Sequence, residues 1–271
     1  MKTIKLSLLT IALLTATGVQ AQKAGDTIIG LGWAHISPSA SISPPVVTGN
    51  SQTLGSTIST LVAGNASLAN YTSAQIFGGK LNGASASIDK ANTISFSVLH
   101  MLTDDFGAEL SIGKPPTLHI NLVTPNGSEP AIADAAKADA LTPAVVAKYF
   151  FMNPTSTFRP YLGLGVTHAK FSNITPQSTS PATTVGKLAG LGASMSSSWA
   201  PIYNAGVIYN FDEKWSLNAS VSYIPLKTDV TLVGSGLSAL NPAFAGLGNV
   251  TTTTKLTMNP TDYIIRLGYK F

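Results

Sequence analysis

The sequence predicts an all-β fold, an eight-stranded antiparallel transmembrane β-barrel with short turns at one end and long loops at the other. Three observations lead there. The chain is poor in charge and rich in apolar residues. Of its 271 residues 10% are charged and 44% hydrophobic, with a mean hydropathy of +0.25, whereas soluble domains carry about a quarter charged residues. Beyond the N-terminal segment no run approaches the roughly 18 apolar residues a membrane helix needs. Segments of about ten residues instead alternate apolar with small or polar side chains. A membrane-spanning chain without helices must pair its whole backbone internally, and a sheet does so only when closed.

The first 21 residues stand apart. Lys2 and Lys5 precede an apolar core from Leu6 to Leu14, and Val19-Gln20-Ala21 has the small-residue form of a cleavage site. Residues 1–21 are therefore expected to be a cleaved signal peptide and 22–271 the barrel. The apolar run is too short for an anchor. The absence of cysteine excludes a lipid-modified N-terminus and disulfides. Taking Lys2 and Lys5 from the 16 basic residues leaves 14 against 12 acidic ones, or +2. No basic cluster exists for phosphates, which argues against a nucleic-acid partner.

Eight segments carry the alternation. In the first, Thr27 to Ile36, Ile29, Leu31 and Trp33 oppose Gly30 and Gly32. The second, Ala91 to Thr103, sets Ile94, Phe96 and Val98 against Ser95 and Ser97. The third, from Gly107, sets Ala108, Leu110 and Ile112 against Glu109 and Ser111. In the fourth, Leu141 to Phe151, Val145, Ala147, Tyr149 and Phe151 oppose Lys148. The fifth, Arg159 to Phe171, sets Leu162, Leu164 and Val166 against Tyr161, Gly163, Gly165 and Thr167. In the sixth, Trp199 to Phe211, Tyr203, Ala205, Val207 and Tyr209 oppose Asn204 and Gly206. The seventh alternates strictly, with Trp215, Leu217, Ala219, Val221 and Tyr223 against Ser216, Asn218, Ser220 and Ser222. In the eighth, Tyr263, Ile265, Leu267, Tyr269 and Phe271 oppose Asp262, Arg266, Gly268 and Lys270.

Connections sort by length. Asp104 to Phe106, Met152 to Phe158 and Asp212 to Lys214 are short. Residues 37–90, 114–140, 172–197 and 229–254 are long and rich in small and polar residues, the rhythm of barrels with short periplasmic turns and long external loops. Within the second long loop, the Ala-rich residues 131–140 predict a short helix. The first long loop carries Leu54, Ile58, Leu61, Val62, Leu68, Ile76 and Phe77, expected either as an apolar entrance funnel or as a variable loop. Tyr149, Phe150, Phe151, Phe158, Tyr161, Tyr209, Phe211, Trp215, Tyr269 and Phe271 gather near the short-turn ends, where aromatic rings suit the headgroup layer. The terminal Phe271, with aromatic or apolar residues at alternate positions before it, is expected to be read by the barrel-assembly machinery.

The inward positions suggest what the lumen does. Eight strands leave room for side chains or one small ligand rather than a wide pore. Glu109, Lys148, Arg159 and Arg266 point inward near the short-turn end and are expected to form a charged plug, Glu109 bridging to Arg159, Arg266 or Lys148. Expected channel-lining residues are Ser111, Val146, Ile202, Ile208, Ser222 and Ile224. Pro115, Pro116, Pro143, Pro201, Pro225 and Pro260 fall toward the loop ends of their strands. Proline cannot donate to the ladder, so Pro115, Pro116, Pro143 and Pro225 mark candidate sites of a lateral opening, or else merely end strands at the rim.

The chain resembles the OmpW family over essentially its whole mature length. The resemblance rests on Leu31-Gly32-Trp33-Ala34-His35-Ile36, on Thr103-Asp104-Asp105-Phe106-Gly107-Ala108-Glu109-Leu110, on Phe158-Arg159-Pro160-Tyr161-Leu162-Gly163-Leu164-Gly165, on Trp215-Ser216-Leu217-Asn218-Ala219-Ser220-Val221 and on Gly268-Tyr269-Lys270-Phe271. It implies residence in the outer membrane of a Gram-negative bacterium, beside lipid bilayer and lipopolysaccharide. It also implies passive admission of small hydrophobic molecules, as in alkane-uptake relatives, with lateral release through the wall, and no cofactor. A monomer is expected. Where the family pattern implies bulky apolar constriction residues, this chain carries Ser111 and Ser222, which moves or removes that gate.

Two other function classes are weighed. An enzyme would need a nucleophile, base and orienting group together. His35, His100 and His168 are expected outward and His119 in a loop, so no inward triad can be drawn, and no metal-ligand spacing appears. A structural or receptor barrel, whose loops bind phage, bacteriocin or envelope partners, remains the alternative.

Overall fold

The computed structural model describes residues 22–44, 46–48, 85–123, 132–176, 192–234 and 250–271. The expected signal peptide and the apolar residues 54–77 lie outside them. Along the chain run β1 (Thr27–Ser37), β2 (Ala40–Ile42), β3 (Val46–Thr48), β4 (Ser85–Ile88), β5 (Ala91–Met101), β6 (Phe106–Gly113), β7 (Thr117–Val123) and β8 (Ile132–Leu141). They are followed by β9 (Ala144–Phe150), β10 (Phe158–Pro176), β11 (Gly192–Met195), β12 (Ser198–Asn210), β13 (Trp215–Tyr223), β14 (Leu226–Gly234), β15 (Val250–Met258) and β16 (Thr261–Lys270).

The eight strands read from alternation are β1, β5, β6, β9, β10, β12, β13 and β16. They pair antiparallel in that order, and β16 returns to β1, closing the ring. Closure leaves no strand edge to face lipid. Outward positions form an apolar band that includes Leu31, Ile94, Leu110, Leu164, Val221 and Ile265. Aromatic rings border it at the short-turn end, where Phe106 meets Tyr149 at 4.9 Å and Trp215 meets Tyr269 at 4.9 Å. A second border of Trp33, Trp199, Tyr203, Tyr223 and Tyr263 lies at the other end. There the His35 ring packs on Trp33 and Tyr263, and His168 on Trp199.

The structure corrects several local expectations. Phe150 and Tyr161, grouped with the border aromatics, are buried inside the ring, as the alternation of their own segments places them. The segments expected as long loops continue the wall. β4, β7, β8 and the upper part of β10 form one extension, and β11, β14, β15 and β2 form another. The expected helix at 131–140 is β8, laddered to β7 and β10. Alanine favours helix by only a fraction of a kcal/mol per residue, and two flanking ladders outweigh that. Here Ala138 and Ala140 turn inward and are buried. His119, expected in a loop, lies on β7. In β15 a run of threonines, β-branched and suited to strands, is the signal that reading those segments as loops passed over.

The short turns are held by local hydrogen bonds. The Asp212 carboxylate accepts from the Lys214 and Trp215 N–H groups, each at 2.7 Å. These bonds, Trp215's first, hold its pKa below the ordinary aspartate value of 3.8. Because they favour the ionised form, their stabilisation is present above that value and is lost as pH falls through the depressed one. Asp212→Ala should therefore lower the urea-unfolding midpoint at pH 7 but not in strong acid. A gap that persists unchanged in acid would rule this turn bond out as the cause.

Candidate functional site

The inward side chains form layers. Uppermost, toward the long-loop end, is an apolar cluster containing Ile88, Leu118, Ile120, Phe171, Leu226, Leu256 and Met258. It reaches down to Val146, Ile202 and Ile224, three of the expected lining residues. Below it, Ser111 is half-buried, and Ser222 is buried and accepts from Asn204 Nδ2 at 2.9 Å.

Next comes a charged layer. Glu109 on β6 accepts from Lys148 Nζ at 2.6 Å and from Arg266 Nη1 at 3.1 Å. Lys148 is 1% exposed and Glu109 5%. Arg266 also donates to Ser95 Oγ from Nε and Nη2. Lys148 donates to the Tyr161 hydroxyl at 3.3 Å and lies over its ring, and that hydroxyl donates to Asn218 Oδ1. Glu109 thus meets two opposite charges, and each cation meets Glu109 and a neutral partner, the condition under which charges tolerate burial.

Arg159 does not join this cluster. It lies one layer lower, 0% exposed, donating to the carbonyls of Gln22, Asp104 and Met152 and stacking on Phe150. Ile208, expected among the upper lining residues, is also low, packed with Ile28, Leu99, Met101, Phe150 and Tyr161. The shift follows from its pairing with Arg159 near the start of β10. Gln22, which no sequence signal marked, crosses the short-turn mouth and donates to Asn210 Oδ1 at 2.5 Å.

Glycines make room for the large inward groups. Gly206 is the cross-strand partner of Tyr161, and a Cβ there would lie 2.5 Å from the Tyr161 hydroxyl and 2.7 Å from the Ala219 carbonyl. Gly206→Ala should displace Tyr161 and cost about 1–3 kcal/mol, as overpacking does. The check is a lowered urea midpoint together with altered near-ultraviolet ellipticity. An unchanged midpoint would show that Tyr161 is not confined by this glycine.

The wall is interrupted in two places at the level of the apolar layer. The β6–β9 ladder ends at Ser111 and Ala144, and the β7–β8 ladder begins at Thr117 and Asp139. Between them residues 112–116 face 140–143, five against four, joined by Ala140 N–H to the Pro116 carbonyl at 3.1 Å. Pro115 and Pro116 bring no donor to this stretch. Pro143 turns its carbonyl to β10, accepting from His168 N–H and Thr167 Oγ1.

The second interruption is longer. The β12–β13 ladder ends at Tyr203 and Tyr223, and the β11–β14 ladder begins at Met195 and Val230. Residues 196–202 thus face 224–229, seven against six, with Pro201 on one side and Pro225 on the other. Ser196 bridges its outer end to Thr228 and Asp229. At Pro260, by contrast, pairing carries on, its carbonyl accepting from Ile224 N–H.

Comparisons with known proteins agree with this architecture. The family model described as "OmpW family" matches residues 53–271. Outer membrane protein W of Vibrio cholerae is 28% identical over 193 residues, 70% of this chain and 79% of that protein. Outer membrane protein AlkL of Ectopseudomonas oleovorans is 25% identical over 196 residues, 72% of this chain and 71% of its own. The crystal structure of OprG from Pseudomonas aeruginosa superposes with a TM-score of 0.68 at 24% identity, covering 93% of this chain and 99% of that one.

Proposed function

Because the chain belongs to the OmpW family of outer-membrane proteins, we propose that it is a passive outer-membrane channel for small hydrophobic molecules that releases them sideways into the bilayer. The observation carrying this reading is the order of the interior layers. An apolar cluster stands above a layer where Glu109 binds both Lys148 and Arg266, and it forms the vestibule of this reading. An apolar solute gains by leaving water for the vestibule, about 25 cal/mol per Å² buried. It would lose by displacing the ion pairs below, so the straight path to the periplasm is unfavourable. Both wall interruptions lie beside the vestibule, where fewer ladder bonds must part for a solute to pass.

In this reading Val146, Ile202 and Ile224 line the path, Ser111 and Ser222 mark its lower limit, and Glu109, Lys148, Arg159 and Arg266 with Ile208 close the floor. Pro115, Pro116 and Pro143 flank one exit, and Pro225 the other. The test is n-octane uptake into cells carrying the protein and cells from which it is deleted. Faster uptake with the protein is expected. Equal uptake would remove the transport reading and leave the receptor alternative.

A further inference from the structure

We infer that Asn204, Ser222 and Asp262 form a head-group site at the foot of the vestibule, selecting amphiphiles whose polar end donates hydrogen bonds. The inference deepens the uptake reading and rests on it for the vestibule's role. The three residues are consecutive cross-strand partners on β12, β13 and β16, all directed inward. The outer two are separated by two strand spacings, about 10 Å.

Their hydrogen bonding is lopsided. Asn204 uses its amide N–H group on Ser222 Oγ and the Val221 carbonyl. Its Oδ1 is buried and receives no donor among the described residues, and the same holds for Asp262 Oδ1. A buried acceptor without a partner destabilises the state that holds it, and the row holds two of them.

The surroundings say what would satisfy them. Gly163, the β10 partner of Asn204, has no side chain, and a Cβ there would stand 3.2 Å from Asn204 Oδ1. Ile202 and Ile224, the next inward residues above Asn204 and Ser222, belong to the apolar cluster. A molecule seated here places its donor on the acceptors and its hydrocarbon along Ile202 and Ile224. Its tail then points at the wall interruption between Pro201 and Pro225, which begins one rung higher. A head group with no proton to give leaves Asn204 Oδ1 unsatisfied.

The test uses n-octyl compounds matched in size, titrated into the protein in lipid nanodiscs while the Asn204 side-chain amide is followed by NMR. 1-Octanol should bind about ten-fold more tightly than octyl methyl ether, and octylammonium about ten-fold more tightly than octyltrimethylammonium, the size expected for a hydrogen bond to a charged or buried acceptor. Asp262→Asn and Asn204→Leu should each shrink the preference, the latter followed on the Ser222 backbone amide. The unmodified protein carries the test by itself if either variant fails to fold. Equal binding within each matched pair, the result expected if water alone fills the row, overturns the inference. Separately measured n-octane uptake tells the two readings apart. Loss of the head-group preference with octane uptake intact removes only this site, and absent octane uptake removes the channel.

Discussion

Replacing Glu109 with alanine is expected to give the largest loss of stability of any single interior change. Among the described residues Glu109 alone balances Lys148 and Arg266 within the charged layer, binding one at 2.6 Å and the other at 3.1 Å. Without it two cations remain in a wall interior where both are nearly inaccessible to solvent. Breaking a buried pair by removing one partner costs about 3–5 kcal/mol, because the remaining charge stays desolvated. Here two charges are left. The unfolding free energy in lipid vesicles should fall by that amount, seen as a lower urea midpoint with an unchanged slope, which separates lost stability from altered compactness.

Glu109→Gln should lose most of the same stability, since it keeps the volume and removes the charge. Conductance gives a second readout. With Lys148 and Arg266 no longer drawn together, Glu109→Ala should raise small-ion current across a planar bilayer. A variant with wild-type midpoint and wild-type current would show that this layer neither holds the barrel together nor closes it.

A disulfide across the longer wall interruption is expected to cut n-octane flux to what the shorter interruption alone can carry. Ser196 Oγ and Thr228 Oγ1 stand 3.3 Å apart, so cysteines at both positions can reach the roughly 2.05 Å of an S–S bond with a small adjustment. The chain has no other cysteine to compete. The staple joins β12's lead-in to β14 at the outer end of the interruption and prevents the two sides from parting. Oxidised Ser196→Cys/Thr228→Cys should lower flux, and reduction should restore it. Flux that ignores the staple would reject this exit and leave the interruption at Pro115, Pro116 and Pro143.

The first prediction concerns a residue whose inward position is legible in the sequence, the second a wall interruption signalled there only by prolines, and neither partner set could be read from it. Glu109 was assigned three possible cations, and ring closure selected two. Arg266 lies 157 residues away from Glu109 in sequence and reaches it across the lumen. Arg159 has the same charge and faces the same way. It instead binds three carbonyls at the mouth, because its position near the start of β10 places it a layer below Glu109.

The prolines show the same limit. Their sequence positions marked a weak level in the wall, but which of them flank an interruption depends on register. Ladders on either side of Pro201 and Pro225, and of Pro115, Pro116 and Pro143, differ by one residue. At Pro260 they do not.

By itself the sequence determined the eight spanning strands, the face that meets lipid and the three short turns. Alternation with period two is local, and where one face must be apolar it assigns every side chain to a side. Beyond the lipid that requirement lapses. Outward positions there need not be apolar, so β7, β8, β14 and β15 carry no such pattern and read as loops. Only the tertiary structure decided that those segments extend the wall, which charges meet, where the ladder skips a residue, and which acceptors are left without a donor. These depend on how strands far apart in sequence come into register when the ring closes.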